Sequence, residues 1–173
     1  VYTEYAKADA NDVLIRIRAY NRFSESAPIT LLPSLWFRNL WSFGRGSKPQ
    51  LRLVANQPAY AVIEARSEDL SSPYYLYFEH PDRILFTENE TNRELVYGER
   101  NLHPLVKDAI NDAVISQDFS VLEDIEAGTK TAPLYQAEVP AGGYFEVRLR
   151  LSAKKFTANP LKAGFENMYA ERQ

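Results

Sequence analysis

The chain has 173 residues, of which 45% are hydrophobic and 25% are charged, a composition typical of a folded globular domain. Its formal net charge is −3 at pH 7 with acids and bases interspersed, which argues against binding to a nucleic-acid backbone. Cysteine is absent and the two histidines lie far apart in sequence, so the composition favours no metal site. We therefore expect no cofactor.

No run of about 18 apolar residues is present, so the sequence predicts no membrane-spanning helix. Charged residues occur close to the first position, where a secretion signal would be apolar. Together with the lack of cysteine, this pattern favours a cytoplasmic protein. The length fits a single domain over residues 1–173.

Apolar residues in the first half of the chain recur mainly with a period of two, which predicts β-strands. Val13, Ile15 and Ile17 alternate with other residues in a predicted strand at 13–18. A short apolar stretch at 29–32 is bracketed by two prolines, which predicts an edge position or a bend because proline cannot donate to a ladder. Further strands are predicted at 50–55, 60–66, 74–79 and 83–87.

The second half combines helical and strand-like patterns. Apolar residues spaced by four predict a helix over 104–115. Strands are predicted at 130–139 and 144–151, joined as an antiparallel hairpin by the Pro-Ala-Gly-Gly sequence between them. An amphipathic helix is predicted after Pro160. This order of elements predicts a mainly β protein, an antiparallel β-sandwich with one short internal helix and a C-terminal helix.

The segment at 32–42 contains both tryptophans of the chain. Strand-like alternation through it would place Trp36 and Arg38 on one face and Asn39 and Trp41 on the other. Aromatic rings beside a guanidinium and an amide are typical of a surface that binds a sugar or an anion. The alternative is a hydrophobic strand whose arginine pairs with a carboxylate.

A second polar cluster directly follows the strand predicted at 83–87. It contains Glu88, Asn89, Glu90 and Asn92. Carboxylates and amides in such a loop can hydrogen-bond sugar hydroxyls or hold Ca²⁺. The alternative is a solvated polar loop without a ligand.

A third cluster lies on the predicted helix, where Lys107 and Asn111 are four residues apart, as are Asp108 and Asp112. Like charges at this spacing repel each other unless a cation, a lysine or a ligand hydroxyl separates them. The alternative is a solvated helix face. Asp108 or Asp112 would form a glycosidase acid/base pair with Glu88 or Glu90 only if folding placed the two carboxyl groups roughly 5 to 10 Å apart.

Taken in order, these clusters resemble motifs of large bacterial glucosidase-like proteins related to glycoside hydrolase family 63, the mannosyl-oligosaccharide glucosidase group. The resemblance extends from Val1 to the final helix. The motifs are EYAKAD at 4–9, LLPSLWFRNLWS at 31–42, LFTENETN at 85–92, VKDAIND at 106–112 and GTK at 128–130.

The resemblance implies that this chain is the N-terminal β-sandwich region of such a protein and begins inside it. It also implies that a separate C-terminal (α/α)₆ barrel of the same polypeptide carries the catalytic carboxylates. We therefore expect this chain alone to be non-catalytic, to pack on that barrel and to shape an oligosaccharide pocket. Two alternatives stay open, an independent carbohydrate-binding module and a self-sufficient enzyme.

No catalytic residue is transferred onto this chain by the resemblance. The residues expected to contact sugar or the barrel are those of the three clusters, and an exposed aromatic patch with one of the tryptophans should mark the surface. They are Trp36, Arg38, Asn39, Trp41, Glu88, Asn89 and Asn92, followed by Lys107, Asp108, Asn111 and Asp112.

Overall fold

The computed structural model describes residues 1–162 and 164–172, and within them eleven strands form two antiparallel sheets. This confirms the mainly β, sandwich-like architecture. The strands are β1 (Tyr2–Asp9), β2 (Asp12–Tyr20), β3 (Ala27–Leu31), β4 (Leu35–Trp36), β5 (Gln50–Gln57), β6 (Tyr60–Arg66), β7 (Tyr74–Glu79), β8 (Arg83–Thr87), β9 (Ala127–Gly128), β10 (Lys130–Val139) and β11 (Tyr144–Ser152). The α-helices are α1 (Arg93–Tyr97), α2 (Ala109–Ser116) and α3 (Phe165–Ala170).

The larger sheet has seven strands in the order β1-β2-β11-β7-β6-β5-β9. The strands predicted at 60–66 and 74–79 occur in it with the same bounds. Those predicted at 13–18 and 50–55 are extended by one or two residues at their ends. None of the helices in the described part of the chain is long and apolar enough to cross a membrane.

The smaller sheet is built around β10, with β8 on one edge and with β3 and β4 on the other. The same register runs from β3 into β4, since Leu31 faces Tyr135 and Leu35 faces Thr131. That register places Pro33 opposite Pro133, and the ladder is interrupted there because neither residue has a backbone N–H. The edge position predicted for 29–32 is therefore confirmed for β3, and Pro33 lies at the gap in the ladder.

The main core lies between the two sheets. Ile63 and Phe78 from the larger sheet and Phe86 and Tyr135 from the smaller sheet belong to one buried cluster. A second cluster covers the opposite face of the larger sheet, where Phe165 of α3 lies among buried residues of four strands. A third packs α2 against β8 and β10. The larger sheet is therefore covered on both faces, and α2 covers the smaller sheet.

Alternate residues of β1, β2 and β11 carry charge on the face beneath α3, and we call this set the outer charge layer. Arg16 lies between Glu4, at 2.9 Å, and Glu166 of α3, at 3.0 Å. Arg150 donates from Nε and Nη2 to the two carboxylate oxygens of Asp12, at 2.8 and 2.6 Å. The members of the outer charge layer are Glu4, Asp12, Arg16, Arg18, Glu146, Arg148, Arg150 and Glu166.

The hairpin predicted over 130–151 is wrong, although both of its strands are confirmed. β10 belongs to the smaller sheet, whereas β11 pairs with β2 and β7 in the larger one. The connection after Val139 therefore carries the chain from one sheet to the other. Alternation specifies which residues of a strand share a face, but it does not specify which strand lies beside it. The partners of β11 depend instead on how both of its faces are buried in the folded chain.

The strand alternation predicted through 32–42 is also wrong beyond Trp36. The chain turns into a short 3₁₀ helix at Trp41–Phe43, followed by Gly44 at φ +68°. Asn39 accepts a hydrogen bond from the Ser42 N–H at 3.1 Å and donates to the Ser42 hydroxyl at 3.0 Å. An asparagine that bonds to the backbone in this way favours a turn over an extended strand.

The helix predicted over 104–115 begins later, at Ala109. The segment before it lies beside the residues that follow β8, because the Leu105 carbonyl accepts from the Glu88 N–H at 2.9 Å and the Lys107 N–H donates to the Glu90 carbonyl at 3.3 Å. Backbone groups used in this pairing are not free to form helical hydrogen bonds. The C-terminal helix is confirmed as α3, although Ala163 and Gln173 lie outside the described residues.

Candidate functional site

The residues that follow β8 lie at the centre of the site and are fixed by two neighbouring segments. The Asn89 N–H donates to the Thr129 hydroxyl at 2.7 Å, and the Asn89 side-chain amide donates to the Phe37 carbonyl at 2.9 Å. The Thr129 N–H donates to the Thr87 carbonyl at 3.1 Å. A Cβ at Gly128 would collide with that same carbonyl oxygen, so this close approach requires glycine.

Two carboxylates extend from this segment and share one lysine. Glu88 accepts from the Thr129 hydroxyl at 2.7 Å and from Lys48 at 3.1 Å. Glu90 accepts from the Trp41 indole N–H at 2.8 Å, and the same oxygen, Oε1, lies 3.5 Å from the Lys48 ammonium. The structure therefore joins the first two clusters of the sequence through a tryptophan–carboxylate hydrogen bond.

Glu90 is buried, with 5% of its surface exposed, yet its second oxygen, Oε2, has no hydrogen-bond partner within the described residues. The buried Nε of Arg93 also lacks one there. Both side chains line a cleft of about 70 Å³. Exposed apolar side chains form part of its lining. The lining residues are Asn39, Ser42, Phe43, Glu90, Thr91, Arg93, Tyr97 and Leu102, and we call this the Glu90 cleft.

A more open groove of about 420 Å³ adjoins Glu88, and Lys48 and Thr129 also line it. Lys48 does not line the Glu90 cleft, but its ammonium lies 3.5 Å from the Glu90 carboxylate. The groove and the cleft are therefore linked through this lysine.

Three of the predicted residues, Trp36, Arg38 and Asn92, lie outside the Glu90 cleft, and a fourth, Asn39, lies at its edge and in a turn. Trp36 is 56% exposed on β4, and Arg38 is exposed nearby in sequence, but neither lines the Glu90 cleft. Asn92 caps α1, where its Oδ1 accepts from the Leu95 N–H at 3.1 Å. Asn39 both lines the cleft and stabilises the turn described above.

The third cluster contributes its backbone to the site more than its side chains. Lys107 is exposed, and its carbonyl accepts from the Lys130 ammonium at 2.9 Å. Burial lowers the pKa of Lys130, against the opposing charge of Asp108. Asn111 and Asp112 are exposed on α2. None of the four lines the Glu90 cleft, so their predicted contact with sugar has no geometric counterpart there.

Several residues of the site were missed by sequence reasoning, notably Lys48, Phe43, Arg93, Tyr97 and Thr129. A signal for α1 was present, because Asn92 is a favourable N-cap and Gly98, at φ +67°, is a favourable C-cap. With that helix recognised, Arg93 and Tyr97 fall four residues apart on one face. Thr129 belongs to the GTK motif but was not recognised as a site residue, and Lys48 carries no local signal because folding brings it in from a distant part of the chain.

A calcium site is not supported by the geometry. Within the described residues, no group of three or more histidine, aspartate or glutamate side chains is placed to hold a metal ion. The two carboxylates instead have a lysine between them. The arrangement offers hydrogen-bond acceptors and donors beside apolar surface, which suits a polar organic ligand.

No protein-family model matches the chain. The chain is similar to the uncharacterized protein YMR196W of Saccharomyces cerevisiae, with 26% identity over 192 residues. The aligned region covers 96% of this chain but 17% of the yeast protein. The chain therefore spans about a sixth of the length of this relative.

Proposed function

We propose that this chain is a non-catalytic domain of a glucosidase related to glycoside hydrolase family 63. In this proposal it packs on an (α/α)₆ catalytic barrel of the same polypeptide and forms one wall of the sugar pocket. The ordered motifs support the parentage, and similarity to part of a much longer protein agrees with it. The lack of cysteine supports a cytoplasmic location.

The observation that carries the proposal is the half-partnered carboxylate of Glu90. A buried carboxylate is costly unless its oxygens accept hydrogen bonds, and such groups are usually fully partnered in structural roles. Here one oxygen accepts from Trp41 while the other has no partner among the described residues. Because Oε2 itself is buried, a ligand hydroxyl would supply the missing bond after a side chain of the cleft moves aside.

Exposed apolar residues outside the cleft support the packing role. Leu95 is 77% exposed, and Val96 and Trp36 are also exposed. Exposed apolar side chains that lie together mark contacts with another domain, and Leu95 and Val96 are adjacent in sequence. We assign Leu95, Val96 and Trp36 to the contact with the barrel, and Phe43 and Tyr97 to the sugar pocket.

The experiment compares the chain by itself with the parent polypeptide in calorimetric titrations with maltose and manno-oligosaccharides. A wall of a shared pocket predicts binding by the parent, and a dissociation constant weaker than about 1 mM for the chain by itself. In the parent, Leu95→Asp should weaken domain packing and lower glucosidase activity. The matched variant Val121→Asp, at another exposed apolar residue, should leave both unchanged. Unchanged activity in Leu95→Asp would contradict the proposal.

The second candidate is an independent carbohydrate-binding module. One observation favours it, because the Glu90 cleft and its apolar lining are complete within this chain. This candidate predicts that the chain by itself binds an oligosaccharide with a dissociation constant of about 1 mM or tighter. It also predicts that the parent gains no further affinity from the barrel.

A further inference from the structure

A separate depression lies where one edge of each sheet reaches the surface. In the smaller sheet this edge is β8, and in the larger sheet it is β5, whose pairing with β9 ends at Arg52. The depression has a volume of about 330 Å³. Its lining includes Leu53 and Asn56 of β5, Ile84 of β8 and residues 122–126, and we call it the Asp124 groove.

The floor of the Asp124 groove is a part of the main core that reaches the surface. Leu53, Ile84 and Ile125 pack against the buried cluster between the two sheets, yet each of them is only partly buried. Leu122, from the cluster that packs α2 on β8, lines the groove as well. Apolar surface that is open to water at this point is stabilised when a further apolar group covers it.

The rim of the Asp124 groove is acidic. One exposed guanidinium, that of Arg83, lies over the Phe119 ring and 3.8 Å from Glu123, so it is already engaged. That ion pair is the only one at the rim among the described residues. The exposed carboxylates that line the groove are those of Asp82, Glu123, Asp124 and Glu126. The rim therefore carries an excess of negative charge.

A ligand that matches both the floor and the rim carries an apolar group next to a positive charge. A polypeptide offers this combination as an aliphatic side chain beside lysine or arginine. Strand edges border the groove, and such edges can hydrogen-bond the backbone of a bound peptide. A volume of about 330 Å³ is the scale of a small site, so side chains of a segment can enter, whereas a folded domain cannot.

We propose that the Asp124 groove binds a polypeptide segment from outside this chain. An aliphatic side chain of that segment covers Ile84 and Ile125, and a neighbouring lysine or arginine pairs with Asp124 or Glu126. The groove shares no lining residue with the Glu90 cleft in the described part of the chain. Such a site goes beyond the proposed function, because it requires neither a sugar nor a catalytic barrel.

The test follows the fluorescence anisotropy of three labelled hexapeptides as the chain is added near neutral pH. RVKIRV carries both features, RSKSRS carries the positive charge alone, and EVEIEV carries the apolar side chains with the opposite charge. RVKIRV should bind saturably with a dissociation constant of about 1 mM or tighter. RSKSRS and EVEIEV should each bind at least about tenfold more weakly, because the first cannot cover the floor and the second is repelled by the rim.

A pair of double variants tests the acidic rim. Asp124→Asn with Glu126→Gln should weaken RVKIRV binding at least about fivefold, because both assigned carboxylates are lost. Asparagine tolerates the φ of +61° at position 124 as aspartate does. Glu25→Gln with Glu138→Gln removes the same charge from exposed acids that do not line the groove, and should leave the affinity unchanged.

A pair of single variants tests the location. Asn56→Trp places a bulky ring at the groove and should abolish RVKIRV binding. Gln57→Trp, at the next residue of β5, lies outside the lining and should bind as the unmodified chain does. Both positions are exposed, so both variants should fold, and circular dichroism spectra that match the unmodified chain would show this.

Equal binding of RVKIRV and RSKSRS would overturn the proposal, because charge alone would then explain the affinity. A lack of saturable RVKIRV binding would overturn it too, as would equal affinity in Asn56→Trp and Gln57→Trp. Sedimentation equilibrium of the chain by itself tests a second copy as the occupant. Self-association that Asn56→Trp abolishes would assign the groove to that copy, whereas a monomer agrees with a separate partner. The sugar titrations do not involve this groove, so either proposal can fail without the other.

Discussion

The outer charge layer and the Glu90 cleft differ in how completely their buried charged groups are paired within the chain. In the outer charge layer, all four arginines have carboxylate partners, and the Asp12–Arg150 pair satisfies both carboxylate oxygens. In the Glu90 cleft, a carboxylate that is almost as buried has one oxygen without a hydrogen-bond partner in the described part of the chain. Full pairing identifies charges that stabilise the fold, whereas the unpaired oxygen of Glu90 adds no such stabilisation among the described residues.

The largest expected effect comes from breaking a fully paired carboxylate. Asp12→Asn should lower the free energy of unfolding by about 3–5 kcal/mol, because it leaves the Arg150 guanidinium buried without a counter-charge. Asp12 is 2% exposed, so water cannot compensate. Urea unfolding followed by circular dichroism measures the change. A loss below about 1 kcal/mol would show that this pair behaves as an exposed one.

A smaller loss of stability is expected at Gly128, where the chain passes close to Thr87 beside the site. Gly128→Ala should cost about 1–3 kcal/mol, because the added methyl group collides with the Thr87 carbonyl, which is held by backbone hydrogen bonds. The control is Gly44→Ala, where a Cβ meets nothing within 4 Å and the cost is about 1 kcal/mol from the positive φ. A Gly44→Ala variant less stable than Gly128→Ala would contradict the packing described here.

The stability that the outer charge layer contributes should also depend on pH. The hydrogen bond from Arg16 lowers the pKa of Glu4. Burial by itself would raise the pKa of Glu146, but hydrogen bonds from Arg18 and Arg148 outweigh it, so its pKa lies below the ordinary 4.5. The stability that these carboxylates contribute is therefore complete above pH 4.5 and is lost as the pH falls through their lowered folded-state pKa values.

The measurement compares the unmodified chain with the double variant Glu4→Gln, Glu146→Gln in urea at several pH values. At neutral pH the double variant should be less stable by about 1 kcal/mol, as partly exposed ion pairs contribute little. The difference should shrink as the solution is acidified below pH 4.5. A difference that stays constant with pH would rule out the ion pairs as its source.

The smallest effect is expected at the half-paired carboxylate. Glu90→Gln should change the free energy of unfolding by less than about 1 kcal/mol, because it removes a buried charge and breaks no protein hydrogen bond at Oε2. The same urea titration measures it beside Asp12→Asn, since both changes convert a buried carboxylate to an amide. A loss as large as that of Asp12→Asn would place Glu90 among the structural charges.

Much of the local structure was predictable from the sequence. The strands at 60–66, 74–79, 83–87 and 130–139 have the predicted bounds, because alternation of side chains between two faces is a local property of a strand. The clusters with Trp41 and Glu88 were also recognised from residue type. The start of α2 was not predictable, because the segment before it is held by hydrogen bonds to residues following β8.

Residue periodicity located most of the strands, although not β1 or β9, and residue type marked the polar clusters as candidates for a site. Folding decided that β10 and β11 lie in different sheets, and that among the described residues only one oxygen of Glu90 has a hydrogen-bond partner. The physical reason is the distance along the sequence over which each interaction acts. Periodicity and turn chemistry act over a few residues. Strand partners depend on the whole sheet, and Glu90 contacts Lys48 and Trp41 only when the chain is folded.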